Sequence, residues 1–188
     1  MNLPNTITLI RIALVPIFML AFALGWGESY DLPFYIFTAA ALTDSLDGYL
    51  ARRRGQVTTF GKFIDPLADK LLVSAVLIMM TGRGLIAAWV VVVILGRDFI
   101  VTSLRLIAVE AGVIIAAKLS GKIKMFVQVG VIMFMLSSIT AASVIVPYLV
   151  YGMVAVTVWS GFDYIWKHRQ LLVHATPGSS TATPGAHE

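Results

Sequence analysis

Long apolar blocks alternate with short polar segments along this chain. Each block holds about 20 residues, the length at which an α-helix crosses the hydrocarbon core of a bilayer. The blocks cover residues 7–26, 33–52, 60–81, 85–109, 122–143 and 146–165. The segments between them carry turn-forming and charged residues, which interrupt apolar helices. The pattern predicts an all-α polytopic membrane protein with six transmembrane helices.

The composition supports the same prediction. Of the 188 residues, 59% are hydrophobic and 13% are charged, and the mean hydropathy is +0.88. Such values are typical of membrane proteins. Several apolar blocks follow the first one, which argues against a soluble protein with a cleaved signal peptide. Cysteine is absent, so disulfides and thiolate metal sites are excluded.

Lysine and arginine cluster in alternate segments of the chain. They follow the second, fourth and sixth blocks, and Arg11 lies in the first, whereas the other segments hold only Arg83. By the positive-inside rule, both termini are expected in the cytoplasm. The net charge of +4 arises mainly at segment ends, where it suits anionic headgroups, and it does not indicate a nucleic-acid partner.

Residues 1–174 therefore form one predicted membrane domain. The remaining residues, 175–188, read ATPGSSTATPGAHE and show no apolar period. A segment rich in Pro, Gly, Ser and Thr cannot bury enough apolar surface to fold by itself. We expect a disordered C-terminal tail.

Four aspartates interrupt the apolar pattern between Thr43 and Lys70. Asp44 and Asp47 lie in the last turns of the second predicted helix, and Asp65 and Asp69 lie in the first turns of the third. Spacings of three and four residues place each pair on one helix face. Antiparallel neighbours would bring both pairs to one depth, where four carboxylates repel unless protonated or bound to cations. Two hard divalent cations would nearly neutralise them.

Helix capping or pairing with a nearby cation is the alternative for these carboxylates. Arg52, Lys62 and Lys70 are close enough in sequence to pair with them. For one aspartate this explanation is as good as metal binding. For four aspartates in helical register it is much weaker, because ionisable side chains within membranes are costly and usually functional.

The residues between the carboxylates suit a phosphate-bearing ligand. Gly48, Ala51 and Gly61 place minimal side chains beside the acidic faces, which allows close approach by a ligand or a neighbouring helix. Arg52 offers a forked guanidinium that matches phosphate oxygens.

These residues complete a signature, and through it the chain resembles the CDP-alcohol phosphotransferase family. The signature is D-x-x-D-G-x-x-A-R, eight residues, then G-x-x-x-D-x-x-x-D. It stands at Asp44, Asp47, Gly48, Ala51, Arg52, Gly61, Asp65 and Asp69. The resemblance implies a six-helix membrane enzyme that binds two divalent cations, Mg²⁺ or Mn²⁺, and forms a homodimer. It also implies that an alcohol displaces CMP from a CDP-linked substrate.

Within the family, the chain is most similar to bacterial inner-membrane members that transfer the phosphatidyl group of CDP-diacylglycerol to glycerol 3-phosphate, with release of CMP. The similar stretches are NLPNTITLIRIALVPIF, TDSLDGYLARR, GRDFIVTSLRLIAVEAG and AAKLSGKIKM. Two positions depart from the usual pattern: Asp98 stands where Glu is commoner, and Met125 where Thr is often found. Both departures concern the choice of acceptor and leave the metal chemistry unaffected.

The resemblance also implies roles for single residues. Asp44, Asp47 and Asp65 are implied to be metal ligands, and Asp69 both a ligand and the general base. The implied contacts to CDP-diacylglycerol are Gly48, Ala51, Arg52, Thr58, Gly61, Asn5 and Arg11. For Thr58, a loop hydroxyl facing water is an equal alternative.

Glycerol 3-phosphate is a dianion, so its site requires fixed positive charge. Arg97 and Arg105 lie inside the fourth apolar block, where an unpaired arginine is costly. Asp98 precedes Arg105 by seven residues and could instead pair with it. Lys118 and Lys122 could complete the pocket or contact headgroups. These four cations are the predicted acceptor site.

Three other functions fit part of the pattern. A member of the same family could use inositol phosphate, serine, phosphatidylglycerol or choline as acceptor. A divalent-cation transporter could also carry acidic residues on its helices, but these would be distributed along a pore. An intramembrane prenyltransferase uses aspartate-bound metal, but with acidic motifs far apart in sequence.

Overall fold

The described part of the computed structural model consists of six α-helices and contains no strand. The backbone is described for residues 3–25, 31–54, 59–110, 119–137 and 144–174, and the side chains for residues 8–25, 31–43, 67–68, 70–108, 119–137, 144–167 and 169. The helices are α1 (Leu3–Leu24), α2 (Asp31–Arg54), α3 (Thr59–Gly82), α4 (Ala88–Glu110), α5 (Leu119–Leu136) and α6 (Val146–His174). The all-α prediction is confirmed. The predicted tail, residues 175–188, lies outside the described residues.

The helices differ from the apolar blocks mainly at their ends. α6 continues to His174, past the predicted end at residue 165, and α1 begins at Leu3, before the predicted start at residue 7. Hydropathy reports where a segment leaves the apolar layer, whereas helical hydrogen bonding continues into water when the sequence allows it. Pro4 is compatible with this early start because proline is tolerated in the first turn of a helix.

One helix in the described residues, α5, is both long enough and apolar enough to cross a membrane by itself. The shorter stretches Thr8–Leu24 and Lys70–Gly82 are apolar but fall below that length. α4 carries Arg97, Asp98 and Arg105 among its apolar residues. Such side chains lower the local hydropathy without excluding burial among other helices.

The main helix contacts in the described residues close a ring. α1 packs against α2 and α3, α3 against α4, α4 against α6, α6 against α5, and α5 against α2. All six helices supply side chains to one apolar core, among them Phe18, Phe22, Phe37, Val76, Ile94, Ile132 and Met153. Burial of this core holds the ring together.

Large apolar side chains also cover the outside of the ring. Phe126 is 80% exposed, Tyr148 is 73% exposed and Val92 is 70% exposed. Soluble monomers rarely leave large contiguous apolar patches uncovered. The surface is typical of a protein whose outer face contacts lipid.

The turn after α3 fixes one end of the ring. The Gly84 amide donates to the Thr81 carbonyl and the Leu85 amide to the Met80 carbonyl, each at 2.9 Å. This is a Schellman cap, in which a residue with positive φ ends the helix. Gly84 supplies it with a φ of 71°. Arg83 then donates to the carbonyls of Phe22 and Ala23, at 3.1 and 2.9 Å, and so ties the turn to the end of α1.

Candidate functional site

The four predicted metal-binding aspartates lie on two helices joined by residues 55–58. Asp44 and Asp47 lie ten and seven residues before the end of α2, and Asp65 and Asp69 lie six and ten residues after the start of α3. At about 1.5 Å of rise per residue, the outer members of both pairs are about 15 Å from these ends. Their side chains lie outside the described residues.

The predicted CDP-diacylglycerol contacts lie on the same two helices and on α1. Gly48, Ala51 and Arg52 belong to α2, Gly61 to α3 and Asn5 to the first turn of α1. The side-chain positions of this group are likewise outside the described residues. Thr58, together with the predicted acceptor residue Lys118, falls outside the described backbone as well.

Arg11 is the one predicted CDP-diacylglycerol contact whose side chain is described. It is 1% exposed, and Thr8, one turn earlier on α1, is equally buried. α1 packs against both α2 and α3, the helices that carry the aspartates. A guanidinium buried to this degree requires compensating charges or hydrogen bonds, because an uncompensated charge in a protein interior is costly.

A cluster of charged side chains lies between α4, α5 and α6. Lys124 donates to both carboxylate oxygens of Asp98, at 2.6 and 2.7 Å, and Arg97 donates to the same carboxylate at 3.0 Å. The Nη2 of Arg97 also donates to the hydroxyl of Ser160 at 2.5 Å. The side chains of Arg97, Asp98 and Lys124 are 13%, 16% and 8% exposed. Two cations against one carboxylate leave a formal charge of +1.

The sequence allowed an ion pair between Asp98 and Arg105, but the structure shows none between these two described residues. The ion pairs of Asp98 in the described residues are with Arg97 and Lys124. Arg105 instead places its guanidinium over the ring of Tyr164, 5.6 Å from the centroid, and remains exposed. The aromatic face thus contacts the guanidinium itself, whose N–H donors remain accessible because the side chain is exposed.

Both predicted arginines of α4 point towards α6. Arg97 contacts Ser160. Arg105 lies eight residues after Arg97 on α4, and it contacts Tyr164, which lies four residues after Ser160 on α6. The contacts advance in the same direction along both helices, so α4 and α6 run parallel here.

Lys124 was not among the residues predicted from sequence. Lys122, which was predicted, is exposed, whereas Lys124 is buried against Asp98. The missed signal is a period of four residues: Ser120, Lys124 and Gln128 are all buried on one face of α5. A buried stripe of polar residues on an apolar helix is a marker of function.

A polar contact ties α3, the helix that carries Asp65 and Asp69, to this charged cluster. Lys70, which follows Asp69 on α3, donates to the hydroxyl of Thr102 on α4. Thr102 in turn donates to the backbone carbonyl of Asp98 at 2.7 Å. The helix of Asp65 and Asp69 and the helix of Arg97 are thus connected by polar contacts.

The start of α5 is held to α6 by another polar group. Ser120 donates to the carboxylate of Asp163 at 2.9 Å, and Lys167 forms an ion pair with the same carboxylate. Together with Ser160 and Tyr164, Asp163 gives this stretch of α6 a polar side directed at α4 and α5. On these three helices, the contacts described above hold four cations against two carboxylates, and an excess of positive charge suits an anion. The cations are Arg97, Arg105, Lys124 and Lys167, and the carboxylates are Asp98 and Asp163.

Known proteins resemble this chain over most of its sequence. The model of the CDP-alcohol phosphatidyltransferase family matches residues 1–159. The chain is 43% identical over 187 residues to a Bacillus subtilis (strain 168) protein named CDP-diacylglycerol--glycerol-3-phosphate 3-phosphatidyltransferase, covering 91% of this chain and 97% of the relative.

Two further relatives extend the comparison. A Mycobacterium tuberculosis (strain ATCC 25618 / H37Rv) protein named probable phosphatidylglycerophosphate synthase is 40% identical over 168 residues, covering 87% of this chain and 80% of the relative. A Pseudomonas fluorescens protein with the same name as the Bacillus relative is 46% identical over 114 residues, 60% of this chain and 58% of the relative. The residues that the family model matches include the whole aspartate signature. This chain belongs to the CDP-alcohol phosphatidyltransferase family.

Proposed function

We propose that this protein transfers the phosphatidyl group of CDP-diacylglycerol to the sn-1 hydroxyl of glycerol 3-phosphate. The products are phosphatidylglycerophosphate and CMP. The observation that carries the proposal is the 43% identity to the Bacillus subtilis phosphatidyltransferase over 97% of that relative. The complete aspartate signature supports the reaction type, and the cationic cluster between α4, α5 and α6 supports the acceptor.

Asp44, Asp47, Asp65 and Asp69 would hold two divalent cations, Mg²⁺ or Mn²⁺. The donor set fits this group, because hard divalent cations prefer carboxylate oxygens and two of them balance four negative charges. The helical backbone at all four positions supports the register that pairs them. The cations would supply electrostatic stabilisation of the transferred phosphoryl group and of the departing CMP.

The protein's own residues then position the substrates and move one proton. The carboxylate of Asp69 accepts the proton of the sn-1 hydroxyl as that oxygen bonds to the phosphorus of the phosphatidyl group. The bond from this phosphorus to the bridging oxygen of the diphosphate breaks, and CMP leaves with the electron pair. Arg52 binds diphosphate oxygens, and Gly48, Ala51 and Gly61 leave room for the nucleotide.

The acceptor phosphate would bind beside the charged cluster. Arg97 and Arg105 are the proposed contacts on α4, with Lys118 and Lys122 nearer the cytoplasm. Lys124 adds positive charge although Asp98 partly neutralises it. A phosphate dianion gains charge-assisted hydrogen bonds from such a pocket, which free glycerol would not.

The enzyme is proposed to lie in the bacterial inner membrane as six spans, with both termini and the active site towards the cytoplasm. The exposed apolar surface and the distribution of basic residues support this placement. A homodimer is proposed from the family resemblance. Another acceptor is the alternative, favoured by Asp98 and Met125, the two departures in regions used to assign the acceptor.

The decisive experiment is CMP release from CDP-diacylglycerol by purified protein with Mg²⁺ or Mn²⁺. We expect turnover with glycerol 3-phosphate but not with inositol phosphate, serine or glycerol, and loss of turnover in EDTA. Asp69→Asn should lower kcat by at least about 100-fold, the size typical of a lost general base. Asp31→Asn, at the exposed start of α2, is the matched control and should retain activity.

Two outcomes would contradict the proposal in different ways. Turnover with another acceptor alone would retain the metal chemistry and remove the assigned acceptor pocket. Absence of turnover with every acceptor, together with metal flux in protein-containing liposomes, would support the cation transporter instead.

A further inference from the structure

The side chain of Arg97 passes over α6 at a glycine. A Cβ added to Gly161 would lie 2.9 Å from the Cγ of Arg97 and 3.9 Å from its Nε. At the other described glycines, an added Cβ meets nothing within 4 Å. Gly161 is buried, and the space that its missing side chain leaves is used by Arg97.

The same short stretch of α6 also holds the guanidinium. Ser160, the residue before Gly161, is fully buried and accepts a hydrogen bond from the Nη2 of Arg97. Asp98 accepts one from Nη1 at 3.0 Å. Because Cγ lies near the backbone end of the side chain, a clash there displaces the guanidinium with it. A displaced guanidinium cannot keep both hydrogen bonds in their present geometry.

We propose that Gly161 and Ser160 are positioning residues for acceptor binding. They hold the Arg97 guanidinium in the orientation that meets the acceptor phosphate, and they act only through Arg97. The inference rests on the proposed function, which places Arg97 in the acceptor site. Gly161 and Ser160 lie just beyond residues 1–159, the part matched by the family model.

Orientation matters here because arginine recognises phosphate through a planar fork of donors. Two parallel N–H groups must face two oxygens, so a rotation or shift loses specificity as well as binding. Misplacement by about 1 Å is enough to change enzyme kinetics substantially. Gly161 could alternatively serve close helix packing alone, and kinetics separate the two roles.

The test is Gly161→Ala, with Gly152→Ala as its matched control. Gly152 lies on the same helix, is exposed and has open space around its Cα. We expect Gly161→Ala to raise the KM for glycerol 3-phosphate about tenfold, the size of one lost charge-assisted hydrogen bond. The kcat and the KM for CDP-diacylglycerol should change by less than about threefold, as expected when only acceptor binding is affected.

A double variant tests whether Gly161 acts through Arg97. In an Arg97→Ala background, the added methyl group of Gly161→Ala has no Cγ to meet, so it should not raise the acceptor KM further. If Gly161→Ala keeps its full effect in that background, or alters kcat and both KM values alike, the role is packing and the inference is wrong.

Ser160→Ala covers the case in which Gly161→Ala fails to fold. It removes the acceptor of the Nη2 hydrogen bond without adding atoms, and should also raise the acceptor KM selectively. An unchanged acceptor KM in Ser160→Ala would overturn the inference. If Arg97→Ala itself leaves the acceptor KM unchanged, the acceptor site of the proposed function is wrong, a failure distinguishable from the others.

Discussion

Single side chains decide the electrostatics between α4, α5 and α6. Without Asp98, the cations of Arg97 and Lys124 would repel each other in a site that is largely shielded from water. With it, both are held within hydrogen-bonding distance of one carboxylate. Buried ion pairs contribute little net stability. The positive charge that remains in this cluster favours an anionic ligand.

At this scale we predict that Arg97→Ala and Arg105→Ala weaken acceptor binding. Each should raise the KM for glycerol 3-phosphate by about 10-fold or more, because a charged hydrogen bond to phosphate is lost. The KM for CDP-diacylglycerol should change much less. Steady-state kinetics with each substrate varied in turn measures both.

Arg169→Ala is the control for loss of one positive charge. Arg169 lies over the ring of Trp166 near the end of α6, 4.5 Å from the centroid, and has no proposed catalytic part. Equal effects of Arg97→Ala and Arg105→Ala on both substrates would remove the two arginines from the acceptor pocket.

The helices are the scale at which sequence patterns predicted most. Six apolar blocks correspond to six helices because a helical segment is encoded by its own residues, through apolar length and the breakers that bound it. The ends were predicted less well. α6 extends to His174 because its charged residues remain compatible with a helix after the apolar block has ended.

At the scale of elements, the Schellman cap of α3 gives a stability prediction. Gly84→Ala places a side chain at a φ of 71° and should destabilise the protein by about 1 kcal/mol. For a chain of this length, that corresponds to a melting temperature lower by about 2–4 °C. Thermal unfolding in detergent measures the change, and catalytic constants should remain unaltered.

The neighbouring glycine supplies the comparison for this prediction. Gly82 lies in α3, and an added Cβ meets nothing within 4 Å. Gly82→Ala should therefore leave the melting temperature unchanged or raise it, since alanine favours helices. An equal loss of stability in both variants would show that the positive φ of Gly84 is not the cause.

The whole molecule is a ring of helices that brings distant residues together. Arg97, Lys124 and Ser160 come from three helices and meet because α6 packs against both α4 and α5. Lys70 and Thr102 connect the aspartate-bearing helix to the same region. The ring thereby links the proposed metal site to the proposed acceptor site.

At this scale we predict that removal of residues 175–188 leaves the enzyme active. The described helices end at His174, and the family model matches residues 1–159. The truncated protein should retain its kcat and both KM values within about twofold, because polar tails rarely support a packed core. CMP release measures this, and a loss of turnover in a correctly folded truncated protein would assign the tail a functional role.

The sequence by itself determined the helices, the apolar character and the spacing of the four aspartates. These properties depend on residues a few positions apart, so they can be recognised along the chain. Arg97 and Arg105 could be named as candidate acceptor-binding residues in the same way, because arginine is conspicuous within an apolar block.

Only the tertiary structure decided the partners of these residues. The ion pair of Asp98 with Lys124, the hydrogen bond from Arg97 to Ser160 and the space at Gly161 all depend on helices that are distant in sequence. Their packing sets which face of each helix turns inward, and helical spacing within one segment carries no information about the side chain that will meet it.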